Sequence, residues 1–99
     1  MKMAFVIYNE VYHPRMVELL GREGVDYFTR WEQVQGKGHG TDAHLGTRSF
    51  PGLNSVMMIA FQEAAVLEKI IAAIETMNGR ISRPDDKVRL FQVPLERVV

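Results

Sequence analysis

The sequence contains no cysteine, which removes disulfides, thiolate metal sites and thiol nucleophiles from the chemistry open to it. It also lacks a charge bias, because 12 lysines and arginines are matched by 12 aspartates and glutamates. Nucleic-acid modules of this size are usually clearly basic, so neither a polyanion nor a membrane surface is indicated as a partner. Long apolar runs are missing too. The N-terminal run from Met3 to Tyr8 is broken at once by Asn9 and Glu10, too early for a signal peptide or a spanning helix, and a cytoplasmic protein is expected. No glycine-rich phosphate loop opens a helix, and no histidine has an evident orienting carboxylate in rigid structure, so the chain is not expected to be an enzyme. Its 99 residues suffice for one domain over 1–99, with a core modest enough that association with further copies would help.

What is present is a clear pattern of elements. Residues 3–8 are apolar throughout, the signature of a strand buried on both faces. A helix is predicted over about 14–23, opened by Pro14 and closed by Gly24, with Met16, Val17, Leu19 and Leu20 on its apolar side. Residues 25–35 read as a strand with Val25, Tyr27, Thr29 and Trp31 on one face and Arg30 and Glu32 on the other. Phe28 and Val34 interrupt the alternation, which marks a bulge or an interface. The apolar pattern then stops from Gly36 to Gly52, a loop of about 16 residues holding Gly36, Gly38, Gly40 and Gly46; connections that long are usually functional or disordered. Leu53–Phe61 forms a second continuous apolar strand, whose Met57 and Met58 point to opposite faces and cannot chelate one ion together. A helix follows over about 63–77, with Leu67, Ile70, Ile71, Ile74 and Met77 on one stripe and Asn78-Gly79 as a left-handed stop. Residues 80–87 read as a loop and Val88–Val93 as the last strand, ended by Pro94.

The order strand, helix, strand, strand, helix, strand predicts an α+β, ferredoxin-like βαββαβ sandwich: a four-stranded antiparallel sheet, two helices on one face, and the long loop between strands 2 and 3. That topology puts the first and third strands at the centre, and those are the two that read apolar on both faces. Helices cover only one side of such a sheet, so the other side calls for a partner, most economically another copy.

Two runs carry a family resemblance. Trp31-Glu32-Gln33-Val34-Gln35-Gly36-Lys37-Gly38 is similar to the Glu-Val-x-Gly-x-Gly strand end before the long T-loop of the nitrogen regulatory PII family, and Lys87 to Val99 is similar to that family's last strand and tail. The chain thus resembles PII proteins and their PII-like relatives, including those associated with heavy-metal efflux systems. The resemblance implies a homotrimer whose long loop, about residues 37–52, changes order on effector binding and contacts a membrane transporter or an enzyme, in metal homeostasis or nitrogen regulation. It also implies ATP or ADP in clefts between subunits. By position Gly36 and Gly38 form the loop base, and Lys87 is the phosphate-contacting lysine. Arg48, with Arg80 and Arg83, supplies guanidiniums for phosphate oxygens or a carboxylate effector. Arg83-Pro84-Asp85-Asp86 stands where the family has glycines, and two carboxylates beside a triphosphate are unfavourable unless a cation intervenes.

Side-chain chemistry adds a second candidate. His39, Asp42 and His44 fall within six residues of the glycine-rich loop, and imidazole and carboxylate suit zinc, nickel or copper. Solvated side chains, or contacts to a partner, are the alternatives. Glu10 and His13 form a further possible pair, although a histidine before a helical proline is more often a local cap. The corresponding alternative function is a trimeric divalent-metal-binding tolerance protein resembling the CutA group, without nucleotide sensing. Trp31 is expected in a core or subunit interface.

Overall fold

A computed structural model describes residues 1–37 and 53–99. Its elements are β1 (Lys2–Asn9), α1 (His13–Arg22), β2 (Thr29–Val34), β3 (Asn54–Phe61), α2 (Ala64–Asn78) and β4 (Arg89–Pro94), with 3-10 turns at Glu10–Tyr12 and Pro84–Asp86. The strands form one sheet in the order β2-β3-β1-β4, every neighbouring pair antiparallel. This is the expected α+β, ferredoxin-like arrangement. The two apolar strands, β1 and β3, occupy its centre.

Burial alternates along both central strands. Ala4, Val6 and Tyr8 of β1, with Ser55, Met57, Ile59 and Phe61 of β3, are buried beneath Met16 and Leu20 of α1 and Leu67, Ile70, Ile74 and Met77 of α2. The intervening residues Phe5, Ile7, Val56 and Met58 lie on the uncovered side and are only half-buried. Met57 and Met58 thus face opposite ways, as the period of a strand requires. Strands apolar on both sides are accordingly half satisfied by their own helices.

Three local features depart from, or refine, the sequence pattern. Strand β2 begins at Thr29 rather than near residue 25, because Val25 belongs to the end of α1. Gly24 adopts a left-handed φ of 77°, its N–H reaches Gly21 O at 3.0 Å, and the Val25 N–H reaches Leu20 O at 2.9 Å. This is a Schellman closure that turns Val25 into the core beside Leu20. Helix α2, by contrast, does not stop on a left-handed residue: Gly79 has φ −63° and ψ −19°. Asn78 instead uses both ends of its side-chain amide on Val88, donating to the carbonyl and accepting from the N–H, each at 2.8 Å. The expected bulge in β2 is real. Its register with β3 shifts between Trp31 and Val34, and Gln33 takes a positive φ of 56°.

Candidate functional site

Strand β1 ends in a corner where three distant segments meet. The Asn9 side chain accepts from the Val11 N–H at 3.1 Å and caps the turn that follows, while its Nδ2 donates to Asp86 Oδ1 at 3.4 Å. The next residue, Glu10, has two partners. Its N–H donates to Leu53 O at 3.0 Å, and its carboxylate accepts the N–H of Gln33. Gln33 precedes and Leu53 follows the connection between β2 and β3 that holds residues 38–52. Both limbs of the long connection are therefore fixed to the end of a central strand, and the turn before β4 reaches the same point through Asn9.

Gly36 has a steric reason to be glycine. A Cβ there would sit 2.8 Å from Asn54 Nδ2 across the pair of limbs, so any side chain would displace Asn54.

The turn Pro84–Asp86 is closed by Asp86 N–H to Arg83 O at 3.0 Å and Lys87 N–H to Pro84 O at 3.4 Å. Across it Arg83 Nη2 donates to Asp85 Oδ2 at 3.0 Å, and Arg83 Nε lies 3.8 Å from Asp86 Oδ2. The Asp85 side chain is only 10% exposed against 64% for Arg83, so the guanidinium lies over a carboxylate that the turn has already withdrawn from solvent. Lys87 follows, exposed, and the Asn78 amide holds Val88 directly after it. Sequence reasoning grouped Arg80 with Arg83, but Arg80 instead lines a groove between the helices with Arg15, Glu18 and Arg22.

Gly36, Arg83 and Lys87 thus belong to the segments that converge on the Asn9–Glu10 corner. Gly38, Arg48, His39, Asp42 and His44 lie outside the described residues. Among the described residues no group of three or more histidine, aspartate or glutamate side chains is placed to hold a metal ion. Glu10 and His13, paired in the sequence reading, are engaged separately: Glu10 with Gln33, and His13 Nδ1 with the Tyr8 hydroxyl at 2.7 Å.

That last contact belongs to a polar network that pattern reasoning missed. Tyr8 is 1% exposed, its ring stacks on His13 at 6.0 Å, and Phe28 meets the imidazole edge-on at 6.3 Å. Arg30 donates to Ser55 Oγ through Nε at 3.2 Å and Nη2 at 3.1 Å, and its Nη1 pairs with Glu32 at 3.1 Å. Burial pushes the Tyr8 hydroxyl pKa up, opposed in part by Arg30 and Ser55. The His13 pKa is pushed down by burial and by the Arg30 charge, opposed by Glu32. Both groups are consequently held neutral near neutral pH, which lets the hydroxyl proton serve Nδ1. The available signal was the register: Arg30 pairs with Met57, and that row faces the helices.

The uncovered side of the sheet presents Trp31, Thr29, Val56, Met58, Ile7, Phe5, Phe91 and Val93 in register across its four strands. Trp31 is 47% exposed and Phe91 51%, so Trp31 is no part of the subunit's own core. No helix of the described residues is long and apolar enough to cross a membrane.

No protein-family model matches the chain, and no curated protein matches it. Solved structures do. The CPII of Thiomonas intermedia K12 bound to ADP and bicarbonate has a TM-score of 0.70 at 17% identity, over 97% of this chain and 88% of that one. CPII described as a nitrogen regulatory PII-like protein, bound to ADP, AMP and bicarbonate, gives 0.68 at 15% identity over 99% and 94%. CPII bound to ADP, AMP and acetate gives 0.66 at 17% identity over 97% and 88%. At these identities the likeness is one of architecture: over nearly its whole length the chain has the fold of a PII-like protein.

Proposed function

We propose that this chain is a PII-like signal-transduction protein, a regulator rather than an enzyme, which works as a homotrimer. It binds an adenine nucleotide such as ADP between subunits and passes that state to residues 37–52, through which it contacts a transporter or an enzyme. The observation that carries this reading is the Asn9–Glu10 corner. A ligand beside the turn Pro84–Asp86 lies one hydrogen bond from Asn9, and Glu10 holds both limbs of the connection, so occupancy at the turn and geometry at the loop base are mechanically linked. Gly36 and Gly38 form the base, while Arg83, Lys87 and Arg48 are the cationic groups near phosphate. The uncovered apolar sheet face supports self-association, because Trp31, Phe91 and Val93 are too exposed for a stable isolated surface of this composition.

Native mass spectrometry of the untagged protein, alone and with ATP, ADP, 2-oxoglutarate, zinc, nickel or copper in turn, tests the proposal. A trimer that gains up to one nucleotide per subunit is the expected result. A monomer overturns it, and a trimer that gains only metal and loses it on His39→Ala or His44→Ala overturns it in favour of the CutA-like alternative.

A further inference from the structure

Away from the Asn9–Glu10 corner, α1 and α2 leave a groove of about 400 Å³ between them. Arg15, Leu19 and Arg22 of α1 face Ala73 and Met77 of α2, and Arg80 just beyond it, across this space. Each set recurs at the i, i+4, i+7 interval of one helical stripe. Leu19, Ala73 and Met77 are buried or half-buried and form an apolar floor, while the three arginines are exposed at its rim. Ala73 brings only a methyl group where a longer side chain would close the gap. Two carboxylates, Glu18 and Glu23, complete the charged lining, which is left with one net positive charge. Glu18 is taken by Arg22 at 2.5 Å. The Arg15 guanidinium lies 5.3 Å from the centre of the Tyr12 ring, a cation–π contact that uses none of its hydrogen-bond donors. Among the described residues the Arg80 guanidinium and the Glu23 carboxylate have no hydrogen bond or ion pair. Two guanidiniums therefore stand against a single unpaired acid.

We propose that this groove is a binding site for a small organic acid, a monocarboxylate with an apolar body. The carboxylate pairs with the Arg80 guanidinium, whose planar fork matches its two oxygens, and Arg15 is the second cation within the groove. The body lies on Leu19, Ala73 and Met77. One negative charge balances the lining, and the volume falls within the range of about 300–1,000 Å³ usual for small-molecule sites. None of these residues belongs to the corner or to the turn Pro84–Asp86, so the site is independent of the nucleotide reading. It also lies in the helix layer, across the sheet from the exposed Trp31 and Phe91, and association through that apolar face leaves it open.

Titration of the full chain with hexanoate, followed by backbone amide chemical shifts, tests the proposal, with hexanamide as the uncharged control and acetate as the control without a body. Saturating shifts confined to residues 15–23 and 73–80 are expected, with hexanoate binding about tenfold more tightly than acetate because its additional methylenes leave water. Arg80→Gln should weaken hexanoate by about tenfold. Ala73→Leu keeps every charge, fills the groove and should weaken it at least as much; this variant adds a good helix former and serves if the arginine variant folds poorly. Glu18→Gln releases Arg22 and should tighten hexanoate by about threefold. Hexanamide binding as well as hexanoate removes the role of the guanidiniums, and acetate binding as tightly removes that of the apolar floor; either result overturns the proposal. So does the absence of saturating shifts up to about 10 mM ligand, or an affinity that neither Arg80→Gln nor Ala73→Leu alters.

Discussion

Replacing Asn78 with alanine removes the device that closes α2 and starts β4. The amide makes two 2.8 Å hydrogen bonds to the backbone of Val88, a residue only 3% exposed. Alanine leaves one donor and one acceptor of that peptide facing an apolar gap, and each unmet buried group costs about 1–3 kcal/mol. Two opposing effects reduce the total: Asn78 is itself half-exposed, so water reaches part of the vacated space, and alanine is about 0.7 kcal/mol the better helix former. A net loss of about 2–3 kcal/mol is expected, a large share of the stability of any small domain. Urea unfolding followed by circular dichroism measures it, at a fixed subunit concentration because an oligomer's midpoint depends on concentration. Asn78→Asp sharpens the test. An ionised carboxylate keeps the acceptor for Val88 N–H but turns its other oxygen against Val88 O, whereas a protonated carboxyl restores the donor. Its folded-state pKa is then raised, so the aspartate variant regains stability below the unfolded aspartate value and loses it as pH rises through the folded one. An alanine variant within about 0.5 kcal/mol of the parent, or an aspartate variant with the parent's pH profile, refutes the reasoning.

Three other perturbations follow from the same structure. His13 is held below the ordinary histidine value of 6.5, so the unfolded chain takes up this proton first and stability should fall as pH drops through that value; His13→Gln should flatten the fall, and identical urea midpoints against pH for the two proteins would sink the idea. Phe5 lies at the centre of the uncovered face, paired across to Met58 and Phe91, and Phe5→Glu should yield a folded monomer by light scattering; a persisting trimer would place the interface elsewhere. Gly24→Ala meets no atom within 4 Å, so only its left-handed φ is penalised and the loss should be about 1 kcal/mol in urea; no loss, or one above about 3 kcal/mol, would contradict the assigned backbone.

The parts of the fold that proved legible are those set by local periodicity. Two continuous apolar runs identified the central strands, the 3.6-residue stripe identified α2, and Gly24 marked the end of α1 in the conformation expected of it. The parts that were not legible depend on where distant groups arrive. Asn78-Gly79 looks like a left-handed stop because that pair often is one; here Val88, ten residues on, offers the Asn78 amide a better use, and Gly79 stays right-handed. Val25 fits the alternation of a strand with Tyr27, Thr29 and Trp31, yet the closure at Gly24 carries it into the core beside Leu20. The alternation placed Arg30 and Glu32 opposite Trp31 but did not say which side the helices cover; Arg30 lies on the covered side, where Ser55 and Tyr8 make a guanidinium acceptable, while Glu32 is exposed. For the candidate site, the sequence named Gly36, Arg83 and Lys87 by resemblance and offered Glu10 only as a pair with His13; the roles of Asn9 and Glu10 at the corner come from hydrogen bonds to segments more than twenty residues away.

Under the proposed function, those two residues would let a signal be carried without a large movement. Gln33 sits in a left-handed conformation that costs a non-glycine residue about 1 kcal/mol, and Glu10 accepts its N–H and so favours that state. Leu53 is bonded to the backbone of the same residue, so the two limbs cannot shift independently while Glu10 is in place. Asn9, immediately before it, joins β1 to the Asp86 carboxylate of the Pro84–Asp86 turn. In the proposed regulator, a displacement of Asp86 would act on the end of a central strand and, through Glu10, on the bulge at Gln33. Coupling of this kind requires a two-state element rather than a chain of contacts. A right-handed Gln33 relieved of its positive φ would be the second state that the proposal needs, and the bulge, not the turn, would then be the place where binding energy is converted into a change of loop geometry.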